Sequence, residues 1–341
     1  MNALITPITP IRFDIRCALG YQVNGPSDFI FNIEVSDTQQ QRPITSHYTV
    51  TNAANVVGYQ SKDLPNRFIR FSATSGAVNL DYQASVMVTH FLANPNDLHE
   101  HSIADLPKDV LPYLLPSRYC ESDKLFHFAN ANFGQMPRGY KRIQAICDWV
   151  YQCVRFSPGA SIATTSAVDT LASGAGVCRD FAHLTIALLR ALNIPARFVA
   201  GYDYGADIAL GPTDFHAYVE AYVGNRWFIF DATRICPRNG LVRIGTGFDA
   251  ADVAFATIFG PTQFTGMKLD IQPFDQTGAP IVLIDNLALA ISTWSTSSVN
   301  NAAALRIDAN NPVPAVNAEY PLPTQLYVKT AQRNTSTHYI Q

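Results

Sequence analysis

Residues 174–203 read "GAGVCRDFAHLTIALLRALNIPARFVAGYD". A cysteine follows directly on a glycine-rich turn and directly precedes a long apolar run. A thiol used only for packing would suit any point along that run. Cys178 instead stands at the first turn of a helix predicted from there to Asn193. The N–H groups of a first turn lack intrahelical partners, and the helix dipole favours negative charge there. The thiolate is the nucleophilic form of cysteine, so this position suits a reactive group. The run is apolar on nearly every side, which predicts a buried central helix, and Asn193 and Pro195 end it.

A thiolate is held best by a neighbouring imidazolium. Of the eight histidines, His216 is the informative one, because it opens "HAYVEAYVGNRWFIFDAT". That stretch reads as a β-hairpin turning at Gly224-Asn225, with Val223 opposite Arg226. Alternation then gives one wholly apolar face: Ala217, Val219, Ala221, Val223, Phe228, Phe230 and Ala232. The other face carries His216, Tyr218, Glu220, Tyr222, Trp227, Ile229 and Asp231. In this register Asp231 lies one diagonal step from His216, within reach of its ring. Asp231 would hold one imidazole nitrogen while the other faces Cys178, a papain-like arrangement of nucleophile, base and orienting acid. An amide in place of Asp231 is expected to retain some activity, and alanine less. Glu220 shares the face, and is expected to be a solvated or substrate-facing carboxylate, with orientation of His216 in place of Asp231 as the alternative. Tyr218 and Trp227 flank the pair as candidate substrate-binding walls, with packing in the core as the equal alternative.

The rest of the chain frames this unit. With 341 residues, 48% of them hydrophobic and 15% charged, it is long enough for two domains and able to bury a large core. A net charge of −3 gives no reason to expect nucleic acid or an anionic membrane as partner. Residues 1–95 contain short β-rich stretches such as "IRFDIRCALGYQV", "FIFNIEV", "SHYTVTN", "RFIRFSA" and "YQASVMVTHF", divided by turn residues, which predicts a β-sandwich. Around "ANPNDLHEHSIADLPKD" the composition turns polar and a domain junction is expected. Residues 96–280 then run helix, helix, strands, an α+β order. Residues 281–341, rich in Ser, Thr, Asn and Pro, read as an extension with little structure of its own.

At this point a resemblance is specific enough to state. "SGAGVCRDFAHLTIALLRALNIPARFVAGY", "DFHAYVEAYVGNRWFIFDAT" and "GFDAADVAFATIFG" together resemble the transglutaminase-like superfamily, and within it a bacterial branch described as cysteine proteases with a β-rich domain before the catalytic one. The resemblance covers about residues 115–267. It implies a central helix packed on an antiparallel sheet, with Cys178 as nucleophile, His216 as base and Asp231 as orienting acid. Two family features are absent. "DTLASGAG" offers no glutamine, and "FSPGASIATTS" no tryptophan, as a second oxyanion donor. The backbone N–H of Cys178 is therefore the one donor assigned. The acidic calcium-binding loops of animal transglutaminases have no counterpart.

The expected chemistry is acyl transfer through a thioester on a protein or peptide substrate. Hydrolysis of peptide or isopeptide bonds is favoured. Transglutaminase-type amine transfer, a peptide N-glycanase-like amidase and a non-catalytic scaffold are the alternatives. No cofactor and no metal are expected: the six cysteines form no CxxC pair, and His99-Glu100-His101 reads as polar linker. His183 reads as a core or supporting histidine, and Cys147 and Cys153 as packing thiols. The first residues lack the basic and long apolar regions of a signal peptide, so the expectation is a cytoplasmic protein with reduced thiols; its oligomeric state is left open.

Overall fold

A computed structural model describes residues 5–206 and 214–293. Its strands are β1 (Ile5–Pro7), β2 (Ile11–Val23), β3 (Ser27–Phe31), β4 (Gln41–Val50), β5 (Ala54–Gln60), β6 (Arg67–Ala73), β7 (Gly76–Val88), β8 (Phe91–Ala93), β9 (Arg155–Phe156), β10 (Ala175–Gly176), β11 (Ala196–Asp203), β12 (Phe215–Val223), β13 (Arg226–Phe230), β14 (Leu241–Gly247), β15 (Ala256–Phe259), β16 (Thr262–Phe274) and β17 (Ala290–Ser292). Its helices are α1 (Ser122–Phe133), α2 (Tyr140–Cys153), α3 (Ala167–Ser173) and α4 (Cys178–Ala191). The architecture is α+β, a β-rich N-terminal part joined to a helix-on-sheet unit. Among the described residues no helix is long and apolar enough to cross a membrane.

The N-terminal part is built from two four-stranded antiparallel sheets, ordered β16-β2-β7-β4 and β15-β3-β6-β5. Strict alternation explains them: in β2, Ile11, Phe13, Ile15, Cys17, Leu19, Tyr21 and Val23 are all buried. Phe29, Phe31 and Phe71 stack in the core below. Strands β15 and β16 return from residues 256–274 to pair with β3 and β2. The stretch 96–280, expected to be catalytic, thus sends two strands back into the sandwich. Part of 281–341 is also ordered, since β17 pairs with β8. Residues 294–341 of that extension lie outside the described residues.

The second unit is an antiparallel sheet, β13-β12-β11-β14, with α4 on one face. Twelve of the helix's fourteen residues are buried, in line with its all-round apolarity. Gly224 and Asn225 both have positive φ, 57° and 64°, and pair Val223 with Arg226 and Val219 with Phe230. These are the turn and register expected of an I′ hairpin. Asn193, at φ 60°, ends α4 in the left-handed conformation. The two units share a core: Tyr202, Val242 and Ile244 pack into the sandwich cluster, and Tyr202 donates to the Ile33 carbonyl at 2.5 Å.

Candidate functional site

The loop before α4 is built to place one residue. Gly174 takes the left-handed conformation (φ 63°) that ends α3, and β10 bridges to β9. Gly176 is required for space, because a Cβ there would lie 2.6 Å from the Asp180 Cβ. Its absence lets the wholly buried Asp180 carboxylate reach back and accept from the Val177 N–H at 2.8 Å. Arg179 braces that carboxylate at 3.1 Å and donates to the Ile162 carbonyl at 2.7 Å. Cys178 follows as the first residue of α4, half-buried, whereas Cys17, Cys120, Cys147 and Cys236 are buried.

His216 lies near the start of β12, directly opposite Gly201 of β11. The fold therefore brings together Cys178, His216 and Asp231. His216 Nε2 is 3.0 Å from Asp231 Oδ2, and the Cys178 thiol lies close enough to the same ring to help raise its pKa. The other Asp231 oxygen accepts from the N–H and hydroxyl of Thr233 at 2.9 and 2.7 Å. Burial alone would lower the imidazole pKa, but the Asp231 carboxylate and the thiol outweigh it and hold His216 well above its ordinary value. For Asp231, burial is outweighed in turn by His216 and Thr233, which keep its carboxyl below the usual carboxylate range. The surroundings favour the positive form of the imidazole, the charge that thiolate attack requires of its partner.

Glu220 takes a place that the sequence did not predict. Glu220 is neither solvated nor substrate-facing. It is wholly buried, accepts from Arg197 Nε at 2.8 Å and Arg243 Nη1 at 2.9 Å, and is bonded by both guanidinium groups. Tyr218 and Trp227 are only 1% and 4% exposed. Trp227 packs edge-on against Tyr113 and beneath the Arg197 guanidinium, so both rings pack inside the fold and do not wall an open groove. The linker 99–101 clasps two elements: Glu100 is bonded by Arg142 and by the Gly139 N–H, and His101 accepts from the Asn225 N–H. His183 stacks on Tyr119 and accepts from the Ala250 N–H at 3.1 Å, a structural role.

Two side chains at the site were missed. Asp203, the last residue of β11, places Oδ2 3.8 Å from His216 Nδ1, on the opposite side of the ring from Asp231. Burial pushes its carboxyl up to about 6, against the lowering effect of His216. Cys236 places its sulfur, with donor atoms of His216 and Asp231, in a group spanning 4.8 Å. Among the described residues this is the one group that could hold a metal ion. Two of its three members, His216 and Asp231, are already hydrogen-bonded to each other. Beside it lies a cavity of about 320 Å³ lined by Asp231, Cys236, Gly205, Arg234 and Arg238 among others.

Two family descriptions match the chain: the transglutaminase-like superfamily over residues 128–232, and the N-terminal domain of bacterial transglutaminases over residues 11–109. The crystal structure of a candidate cysteine protease from Cytophaga hutchinsonii is similar at 39% identity and a TM-score of 0.79, covering 85% of this chain and 100% of that one. An uncharacterised protein of Mycobacterium leprae is 34% identical over 119 residues, 33% of this chain and 42% of that protein. One of Mycobacterium tuberculosis is 30% identical over 115 residues, 30% of this chain and 37% of that protein. The match spans less than half the length of these two curated relatives.

Proposed function

The chain belongs to the transglutaminase-like superfamily, and from that premise we propose that it is a thiol-dependent acyl-transfer enzyme acting on protein or peptide substrates. Cys178 is the nucleophile, His216 the general base and acid, and Asp231 the residue that fixes the imidazole. The observation that carries this reading is the buried ring of His216, hydrogen-bonded by Asp231 at Nε2 and raised in pKa by both Asp231 and the thiol at the head of α4. His216 takes the thiol proton, Cys178 attacks an amide carbonyl, and His216 returns the proton to the leaving amine. The backbone N–H of Cys178 faces the developing oxyanion, since helix geometry leaves it without an intrahelical partner. Water then releases the acyl group, which makes the protein a peptidase or isopeptidase. Amine transfer is the second reading, favoured by the match of residues 11–109 to the bacterial transglutaminase N-terminal domain.

Alkylation tests the nucleophile with an internal control. Burial pushes the Cys17 and Cys120 thiols up to about 12, and Cys147 and Cys236 are raised as well. Cys153 is exposed and has no histidine partner among the described contacts. Brief iodoacetamide treatment at neutral pH should label Cys178 and Cys153 alone, with Cys178 faster. His216→Ala should slow labelling at Cys178 by about tenfold or more and leave Cys153 unchanged. Equal rates at the two thiols in the wild type, read by peptide mass spectrometry, would remove Cys178 from its role.

The surroundings of Asp231 revise the expectation for its amide. Both of its oxygens face donors: His216 Nε2 on one side and Thr233 on the other. An asparagine that keeps its oxygen on the Thr233 N–H must turn its NH2 toward Nε2, which forces the imidazole into the opposite tautomer. Asp231→Asn should therefore lose roughly 10³–10⁴-fold in kcat, nearly as much as Asp231→Ala, with KM little changed. An Asn variant within about tenfold of wild type would show that Thr233 yields and that tautomer control is not the role of Asp231.

A further inference from the structure

Cys236 stands beside the triad and has no part in the acyl-transfer chemistry. After Asp231 the chain bends through Arg234, which takes the left-handed conformation (φ 56°), and Cys236 comes back to the side of Asp231. A bulky residue holds that conformation where its surroundings enforce it. The result is one thiol, one imidazole and one carboxylate, with donor atoms all within 4.8 Å of one another. Zinc takes such a set tetrahedrally, with bonds of about 2.0 Å to nitrogen and oxygen and about 2.3 Å to sulfur. Nitrogen and oxygen ligands on one zinc are then about 3.3 Å apart. His216 Nε2 and Asp231 Oδ2 are already 3.0 Å apart, so a metal takes the place of their shared proton with little movement of either. The Cys236 sulfur has to approach by about 1.3 Å at most to make the third bond.

The surroundings also suit a cation. The second Asp231 oxygen is fixed by the N–H and hydroxyl of Thr233 at 2.9 and 2.7 Å. Asp203 Oδ2 lies 3.8 Å from Nδ1, on the far side of the ring. Ligating histidines turn their remaining N–H toward such a carboxylate. The cavity of about 320 Å³ reaches both Asp231 and Cys236 and supplies a path of entry. Its two arginines are paired, Arg234 with Asp148 and Arg238 with Asp285.

We propose that Cys236, His216 and Asp231 form a binding site for zinc, and that filling it switches the triad off. Nε2 and the Cys236 sulfur give their hydrogens to solvent, three bonds to the metal form, and no oxidation state changes. The fourth position is left for water. With Nε2 on the metal, the remaining ring hydrogen stays on Nδ1, beside Asp203. Nδ1 then has no lone pair to take a proton from the Cys178 thiol or from attacking water. This blockade rests on the acyl-transfer reading, and the binding does not. Calcium and magnesium prefer all-oxygen sites and do not fit this set.

Binding is measured on metal-free full-length protein, by calorimetry with zinc and by the thiolate-to-metal ultraviolet absorption with cadmium. Wild type and Cys178→Ala should both bind saturably and both show the absorption. Cys236→Ala should bind about a hundredfold more weakly and lose it, since even the outer partners of metal ligands are worth 10–100-fold. Should Cys236→Ala fold poorly, Cys236→Ser keeps the size of the side chain and removes the thiolate. A site that survives without Cys236, one that is lost without Cys178, displacement of zinc by calcium, or no saturable binding each overturns the proposal.

Turnover is then read with and without zinc, each protein against its own metal-free rate. Zinc should stop wild type over the concentrations that fill the site, and a chelator should restore it. Cys236→Ala should need about a hundredfold more zinc for the same effect. Equal inhibition of the two proteins overturns the inhibitory half of the proposal. If metal-free wild type transfers no acyl group, the acyl-transfer reading fails, while calorimetry and absorption still decide the site.

Discussion

Cys178→Ala should abolish turnover, by roughly five to six orders of magnitude, and leave the melting temperature almost unchanged. The size follows from the role: a nucleophile acts as a unit with its base, and removing it leaves only binding and oxyanion stabilisation. The silence in stability follows from the position. Cys178 is half-buried at the first turn of α4, and the substitution deletes one sulfur atom. The local frame is held by other groups, namely Gly176, the Asp180–Val177 hydrogen bond and Arg179, all of which remain. His216→Ala should match it in lost rate and differ from it in stability. That substitution leaves the buried Asp231 carboxylate without its imidazolium, and breaking a buried pair in this way costs about 3–5 kcal/mol. Activity with an amide or ester substrate and thermal melts of both variants check the pair of outcomes. A Cys178→Ala protein with substantial residual turnover would end the triad reading. One that melts far below wild type would mean that the thiol is a structural element.

The difference between what was legible in the sequence and what was not follows the length of the connection. Gly224-Asn225 is a two-residue turn, so local chemistry fixes the β12–β13 register, and with it the placement of Asp231 beside His216. Cys178 announces itself through the glycines before it and the apolar helix after it. Asp203 and Arg197 sit on β11, joined to β12 through residues 204–214, and no turn signal sets a register across so long a connection. Which residues of β11 face His216 and Glu220 was therefore unreadable, although both pairs lie on neighbouring strands. Arg243 is further still, on β14, where the register also shifts between Ala200 and Gly201. The same reasoning covers β16. Its partner β2 lies some 250 positions earlier, and an edge strand with only three of its thirteen residues buried carries little apolar pattern to reveal its sheet. The polar character of Glu220 was read correctly and its surroundings wrongly, because alternation places a side chain on a face without saying what covers that face.

Glu220→Gln should destabilise the fold by about 3–5 kcal/mol, and should reduce activity only through lost folded protein. Glu220 is bonded to both Arg197 and Arg243, and all three side chains are almost wholly buried. A neutral amide leaves two guanidinium groups in a low-dielectric core with one carbonyl oxygen between them. The pKa of Glu220 points in the same direction. Burial raises the Glu220 carboxyl, the two guanidinium groups outweigh it, and the net position is about 2, below an ordinary value of 4.5. A depression of that size corresponds to about 3 kcal/mol of stability present at neutral pH. Its sign is fixed by linkage. The contribution is complete above pH 4.5, because the unfolded chain there is already ionised. It is lost as pH falls toward 2, where the folded carboxylate takes up its proton. Wild type should therefore show a steep fall in stability between about pH 4.5 and 2, and Glu220→Gln a shallower one from a lower starting point. Denaturant melts of both proteins at pH 7, 4.5 and 3 measure this, with turnover per folded molecule as the functional readout. Arg243 also ties the two units together, since its backbone carbonyl accepts from Gln41 Nε2 at 2.7 Å and its N–H donates to Gln41 Oε1 at 2.8 Å. The loss should accordingly appear in the docking of β14 against the sandwich, and native-state hydrogen exchange at β14 should rise before exchange in α4. Equal stability of the variant and wild type at pH 7 would mean that the two arginines are satisfied without Glu220, and that the ion triad contributes nothing to holding the units together.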